Sequence, residues 1–275
     1  DVFAWYLADS AWLYPVSYLE VGAGVRIALI EGMRLLVASG IGSISLSLDS
    51  TGAVNDACRG SGVSERVGRA IGALHEAGFQ GRLEVLSTLT HPAVQQLEAM
   101  RRQLAGQRVP LWRLVPLMPL GRAQAAPELQ LTPGDLRRVL DFVERSREDR
   151  LLPAPEFGEE GYLGEYEGRV RPYLCQCRAG LTTAGILADG SIGACPELGP
   201  SFVQGHVARD RFRDVWQQCY QVFRDRSWTR RGACTDCDAW DRCGGGSLHL
   251  YADTSSEISR CFYRMLGEGD GGDCS

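Results

Sequence analysis

The sequence predicts an α/β protein: a parallel sheet built from β-α-β units over residues 1–150, then a small irregular α+β domain over 151–275. Three observations carry this. Between residues 26 and 150, helical and strand-like hydrophobic patterns alternate, and parallel strands need crossover connections of helical length. Near Leu151 the pattern gives way to Pro153, Pro155, Gly158, Gly161, Gly164 and Gly168, residues that interrupt regular elements. Nine of the ten cysteines then fall between Cys175 and Cys274, so the thiol chemistry belongs to the second part. Residues 1–25 stand outside the pattern.

Each element has its own signal. Ile27, Ile30, Met33, Leu35, Leu36 and Ala38 recur at helical spacing, with Gly40 as the stop. Ile44 to Leu48 reads as a short buried strand. A helix runs from about Ser64 to Ala77 and ends at Gly78; a strand follows over Leu83 to Thr90. Pro92 opens a helix to Leu104, proline being well tolerated in a first turn. Leu111 to Val115 is a third strand, and Thr132 caps a helix to about Arg147. In the second part, Gly185–Ala188 and Ser191–Ala194 flank Asp189-Gly190, which reads as a hairpin with a type I′ turn. Asp210 to Arg226 reads as one amphipathic helix. Ligands of a parallel sheet sit at the carboxyl ends of its strands.

Composition excludes several functions. With 44% hydrophobic and 23% charged residues the chain is of ordinary globular type. Its net charge is −5, it contains no lysine, and no run of basic residues is present, which argues against nucleic acid as a partner. No apolar stretch reaches the roughly 18 residues of a membrane span. Residues 1–20 carry no arginine ahead of their apolar residues and read as no signal peptide; the expected setting is cytoplasmic.

The cysteine pattern is the most specific feature. Cys177 is followed by twelve residues, Gly190, four residues and Cys195; the hairpin would fold Cys195 back toward Cys177. Downstream come Cys234-x2-Cys237, five residues, Cys243-Gly-Gly-Gly246, and Cys261. C-x2-C lets two thiolates face one centre, and Cys234, Cys237, Cys243 and Cys261 suffice for one [4Fe–4S] cluster. Tetrahedral zinc uses the same spacing, so residues alone leave both open, with a disulfide set behind them. Cys58, Cys219 and Cys274 read as a loop thiol, a buried small hydrophobe and a tail thiol.

The series C-x12-G-x4-C, C-x2-C-x5-C and a distal Cys resembles the SPASM domain of radical SAM enzymes that modify peptides and proteins. Gly161-Tyr-Leu-Gly-Glu-Tyr-Glu167, Cys177-Arg-Ala-Gly, Ala194-Cys-Pro-Glu, Val203-Gln-Gly-His and Leu248-His-Leu-Tyr251 resemble a subfamily encoded beside a lipoprotein. Ser45-Leu-Ser-Leu-Asp-Ser50, Asn55-Asp56, Arg59-Gly60 and Pro119-Leu-Gly-Arg-Ala123 are similar to the later strands and loops of a radical SAM partial barrel. The resemblance covers residues 35–265. It implies an incomplete (β/α) barrel followed by an auxiliary iron–sulfur domain, a peptide or protein substrate, possible transfer of electrons from a donor, and S-adenosylmethionine as cosubstrate in complete relatives.

It also implies site residues. Cys234, Cys237, Cys243 and Cys261 would ligate a downstream cluster; Cys177 and Cys195, with or without Cys175, an upstream one. Ser247 stands where the pattern has a further cysteine, which leaves an upstream cluster with an open iron, one using His249, or none. Ser47 and Asp49 would contact the ribose of S-adenosylmethionine, with Thr88 and Arg113 as further candidates, and Glu165 and Glu167 a substrate peptide. The radical-generating motif C-x3-C-x2-C is absent from these 275 residues. The expectation is a fragment or degenerate member, uncertain as an enzyme; the alternative is a non-catalytic zinc or iron–sulfur module that binds a peptide or partner protein.

Overall fold

The computed structural model describes residues 17–18, 29–149, 151–159 and 161–267. Within them lie two compact units. One holds the chain up to Leu117, Ala126–Gly158 and Arg169–Arg171; the other holds Met118–Ala125, Glu159–Gly168 and the residues from Pro172 on.

The first unit is a five-stranded, all-parallel sheet in sequential order: β1 Ser17–Tyr18, β2 Ser43–Ser47, β3 Arg82–Leu89, β4 Leu111–Pro116 and β5 Ala154–Phe157. Helices α1 Leu29–Ala38, α2 Gly52–Arg59, α3 Val63–Glu76, α4 His91–Val94, α5 Leu97–Gly106 and α6 Pro133–Glu148 make the connections. Sequential parallel strands joined by helices are how a barrel wall is built. The carboxyl ends of β2 to β5 share one rim.

Strand alternation explains the core. Ile44, Leu46 and Leu48 are buried along β2 and its exit, as are Val85 on β3 and Leu114 on β4. Leu136, Val139, Leu140 and Val143 present a helical stripe of α6, each wholly buried. Each such side chain contributes about 2 kcal/mol. Trp112, buried in β4, packs edge-on to Phe142 at 5.7 Å. Its indole N–H donates to Ser87 Oγ at 2.8 Å, and that hydroxyl donates on to the Leu48 carbonyl.

The helix ahead of Gly40 is present from Leu29; Ile27 lies outside the described residues. Thr132 caps α6 in a reciprocal capping box with Asp135. The helix expected over Pro92–Leu104 is two helices, α4 and α5, broken at Gln95-Gln96. Ala93 and Val94 are thereby buried together with Leu97, Met100 and Leu104. Strand β5 lies within the proline-bearing connection. It is the sheet's edge, where Pro155 needs no ladder donor on its open side.

The second unit is small and irregular. Its sheet has three antiparallel strands, β6 Gly185–Ile186, β7 Ser191–Gly193 and β8 Gly205–His206. The β6–β7 hairpin is present, but its turn is not type I′. Only Gly190 has positive φ (90°), and its N–H donates to the Leu187 carbonyl at 2.9 Å. That is a type I turn closed by a left-handed glycine. The helix expected over Asp210–Arg226 breaks into α7 Phe212–Gln218 and α8 Gln221–Arg224. At the break the buried Tyr220 sends its hydroxyl to the Gly193 carbonyl at 2.7 Å. Short helices α9 Trp240–Cys243 and α10 Phe262–Gly267 complete the unit.

Candidate metal centre

Four cysteines converge in the second unit from three short pieces of structure. Cys234 ends a single 3-10 turn, Gly232–Cys234, and is 6% exposed. Cys237 follows three residues on. Cys243 closes α9, and Cys261 immediately precedes α10. Burial pushes the Cys234 thiol up from its ordinary value; a hydrogen bond with Tyr251 pulls it back, and Cys261, Cys243 and Cys237 raise it further. Burial likewise raises Cys261; the backbone N–H groups of Arg264 and Tyr263 oppose this, while Cys243 and Cys237 add to it. Cys237 and Cys243 therefore lie near enough to Cys234 and Cys261 to act on them electrostatically, and the Cys261 sulfur already receives backbone hydrogen bonds of the kind a thiolate needs.

Among the described residues, no three His, Cys, Asp or Glu side chains are grouped as a single metal ion would hold them. With Zn–S bonds near 2.3 Å, tetrahedral thiolates lie about 3.8 Å apart. The ligands of a four-iron cluster are each bound to a different iron and stand wider.

The surroundings of the thiols are closely built. After Cys243 the chain runs through Gly244, Gly245 and Gly246 at φ 63°, 84° and 73°, a left-handed run that side-chain-bearing residues rarely adopt. A Cβ on Gly245 would stand 2.4 Å from Thr229 Oγ1. Thr229 is itself wholly buried and accepts a hydrogen bond from the Trp240 indole at 3.1 Å. The Tyr251 hydroxyl donates to the Gly245 carbonyl at 2.8 Å, which fixes it beside Cys234. A small cavity lined by Cys243, Gly246, Arg260, Cys261, Phe262 and Tyr263 adjoins the thiols.

The upstream thiols are arranged differently. Cys177 is 7% exposed in an apolar cluster with Ile192, Phe202, Phe223 and Leu248, against which Cys195 packs. Arg226 donates to the Cys177 carbonyl at 2.8 Å, and the Cys175 carbonyl accepts from the Gly161 N–H at 3.1 Å. Ser247 is wholly buried and its hydroxyl donates to Glu159. His249 stands with Nε2 3.9 Å from Glu159 and Nδ1 3.4 Å from Glu197. Spacing gave no hint of Glu159, whose place depends on chain folding back over 88 residues.

At the rim of the first unit, Ser47 ends β2, half-buried. Asp49 accepts from Arg59 Nε and Nη2 at 2.5 and 2.9 Å and from the Thr88 N–H at 2.8 Å. Most of its acceptor capacity is thus used within the fold. Arg113 pairs with Glu84 on the neighbouring strand at 3.2 Å. In the second unit, the Glu167 carboxylate accepts from the Leu163 N–H at 2.9 Å, which closes its own turn.

Residues 175–238 match SPASM, an iron–sulfur cluster-binding domain. Over 249 residues, 89% of the chain, it is 32% identical to mycofactocin maturase MftC of Mycolicibacterium smegmatis and 31% identical to that of Mycobacterium tuberculosis. It spans 62% of the length of either relative. Its fold is similar to that of anSMEcpe solved with bound AdoMet and the Cp18Cys peptide (TM-score 0.62, 15% identity, 86% of this chain and 68% of that one). It is also similar to Streptococcus suis SuiB bound to S-adenosylmethionine (TM-score 0.54, 17% identity, 78% and 52%). Parallel sheet and thiol-rich unit together define a class: a radical SAM-type α/β partial barrel followed by a SPASM iron–sulfur domain. The chain is thus similar to these maturases over 89% of its length and matches the SPASM iron–sulfur domain over residues 175–238.

Proposed function

We propose that the chain carries the auxiliary iron–sulfur part of a radical SAM/SPASM maturase and serves the radical modification of a peptide or protein. The observation that carries this is that the Cys234 and Cys261 thiols are both raised by burial, with Cys237 and Cys243 close enough to raise each of them further. In this reading they hold one complete [4Fe–4S] cluster. Bound, such a cluster supplies one-electron transfer at a potential set by burial and hydrogen bonds. The chain's own residues prepare its seat: Tyr251 steadies Cys234, the amides of Tyr263 and Arg264 face Cys261, and the glycines after Cys243 allow close backbone approach.

Cys177 and Cys195 are the upstream thiolates, with Ser247 committed to Glu159 rather than serving as a ligand. Ser47 and Asp49 are the residues assigned to the ribose of S-adenosylmethionine, and Glu165 to a peptide. The partners in this reading are a peptide or protein substrate, of which a lipoprotein is one form, and an electron donor, in the cytoplasm. No described helix is long and apolar enough to cross a membrane.

Cysteine-to-alanine variants test the ligand set after anaerobic loading with iron and sulfide. Cys237→Ala and Cys243→Ala lose most of their iron, while Cys58→Ala and Cys219→Ala keep it; full loading of Cys237→Ala would overturn the assignment. Because no C-x3-C-x2-C occurs in these 275 residues, the loaded chain with dithionite yields no 5′-deoxyadenosine above a protein-free control. Production above that control contradicts this part of the reading.

A further inference from the structure

We propose that Arg260 is the charge partner of the downstream cluster: its guanidinium donates from Nη1 to a sulfur of the bound centre and raises that centre's reduction potential. The inference rests on the ligand assignment above. Arg260 directly precedes Cys261 and lines, with Cys243, Gly246 and Tyr263, the small cavity beside the thiols. Its Nη1 is buried and has no hydrogen-bond partner among the described residues.

A buried donor without an acceptor costs its full desolvation, and the cost is larger for a charged group. Arginine cannot escape by losing its proton. The chain therefore holds a buried guanidinium nitrogen without an acceptor among the described residues, on a side chain that lines the same cavity as two thiols assigned as ligands. A cluster held by four thiolates is an anion with sulfur acceptors, and it fills both needs at once. When it takes one electron from a reductant, no bond changes, but its negative charge grows. The attraction to Arg260 grows with it in a poorly screened interior. The reduced form gains more than the oxidised form, so the potential rises. Hydrogen bonds to cluster sulfurs act in the same sense.

The test is a dithionite redox titration, followed by electron paramagnetic resonance of the reduced cluster, on the full chain loaded anaerobically. Arg260→Gln is expected to load fully and to lower the reduced-to-oxidised ratio at a fixed potential at least tenfold, a shift of about 59 mV for one electron. Arg260→Lys, which keeps the charge but not the fork, falls between the two. Full loading of Arg260→Gln with an unchanged potential overturns the inference alone; a wild-type chain that takes up no iron overturns the ligand assignment and the inference with it. If Arg260→Gln fails to load, thermal unfolding of the metal-free proteins decides. A charge partner without its cluster is a liability, so the variant then unfolds at or above the wild-type temperature. Unfolding below it makes Arg260 a structural residue and overturns the proposal.

Discussion

Gly245 shows how tightly the thiol site constrains single residues. It sits left-handed against Thr229, and a Cβ there meets Thr229 Oγ1, Cβ and Cγ2 all within 3 Å. Thr229 cannot retreat, since its hydroxyl also donates to the Arg226 carbonyl at 2.7 Å. Gly245→Ala combines backbone strain with overpacking and should cost about 3 kcal/mol, seen as a lowered denaturation midpoint in the metal-free chain. Gly244→Ala, whose Cβ meets nothing within 4 Å, pays only the backbone part, about 1 kcal/mol. Equal losses in the two variants would refute the packing argument. The cysteines were legible in the sequence because short covalent spacing limits where their thiols can go. Arg260, Tyr251 and Glu159 were not, because their relevance arises only when distant pieces of chain pack together.

Among the elements, the α2–α3 corner illustrates local electrostatics. Asp56, near the end of α2, accepts from the Gly62 N–H at 2.6 Å and from the Ser64 N–H and hydroxyl, each at 2.9 Å. It thereby ties α2 to the first turn of α3. The Ser64 amide, against a smaller opposing effect of burial and with help from Gly62, lowers the Asp56 carboxyl to about 2. A depressed carboxylate stabilises the fold above its unfolded value of 3.8 and loses that contribution as pH falls through about 2. Asp56→Asn should therefore be less stable than wild type at pH 7. The gap should narrow on acidification below about pH 4. A gap that is constant with pH would show that charge is not the cause.

Element type was readable where one period dominated, as in α3, α6 and the strands β2 to β4. It failed where a tertiary contact decided. Tyr220 breaks the α7–α8 segment to reach Gly193, and β5 survives Pro153 before it and Pro155 within it because it occupies the sheet edge. The hairpin was legible from Asp189-Gly190, but its turn type was not. Asp-Gly also suits a type I turn with the glycine in the left-handed position, as found here.

At the scale of the whole molecule, the two units are built in different ways. The first unit is held by regular burial of apolar stripes against a parallel sheet. The second has little regular structure and concentrates buried polar groups around thiols: Ser247 with Glu159, Tyr251 with Gly245, and Arg260, whose Nη1 has no hydrogen-bond partner among the described residues. Polar groups without a full set of partners are costly in a metal-free protein, and a bound cluster would supply acceptors where Arg260 lacks one. Metal loading should accordingly raise the unfolding temperature of the second unit, since whatever binds only the folded state stabilises it. A chelator should reverse the gain.

The most direct test of this account is the iron, acid-labile sulfide and zinc content of anaerobically purified chain, read together with its visible absorption. The account predicts about four irons and four sulfides per chain, with colour that dithionite bleaches. One zinc per chain, no sulfide and no colour would contradict it, and would assign Cys234, Cys237, Cys243 and Cys261 to a redox-silent structural site.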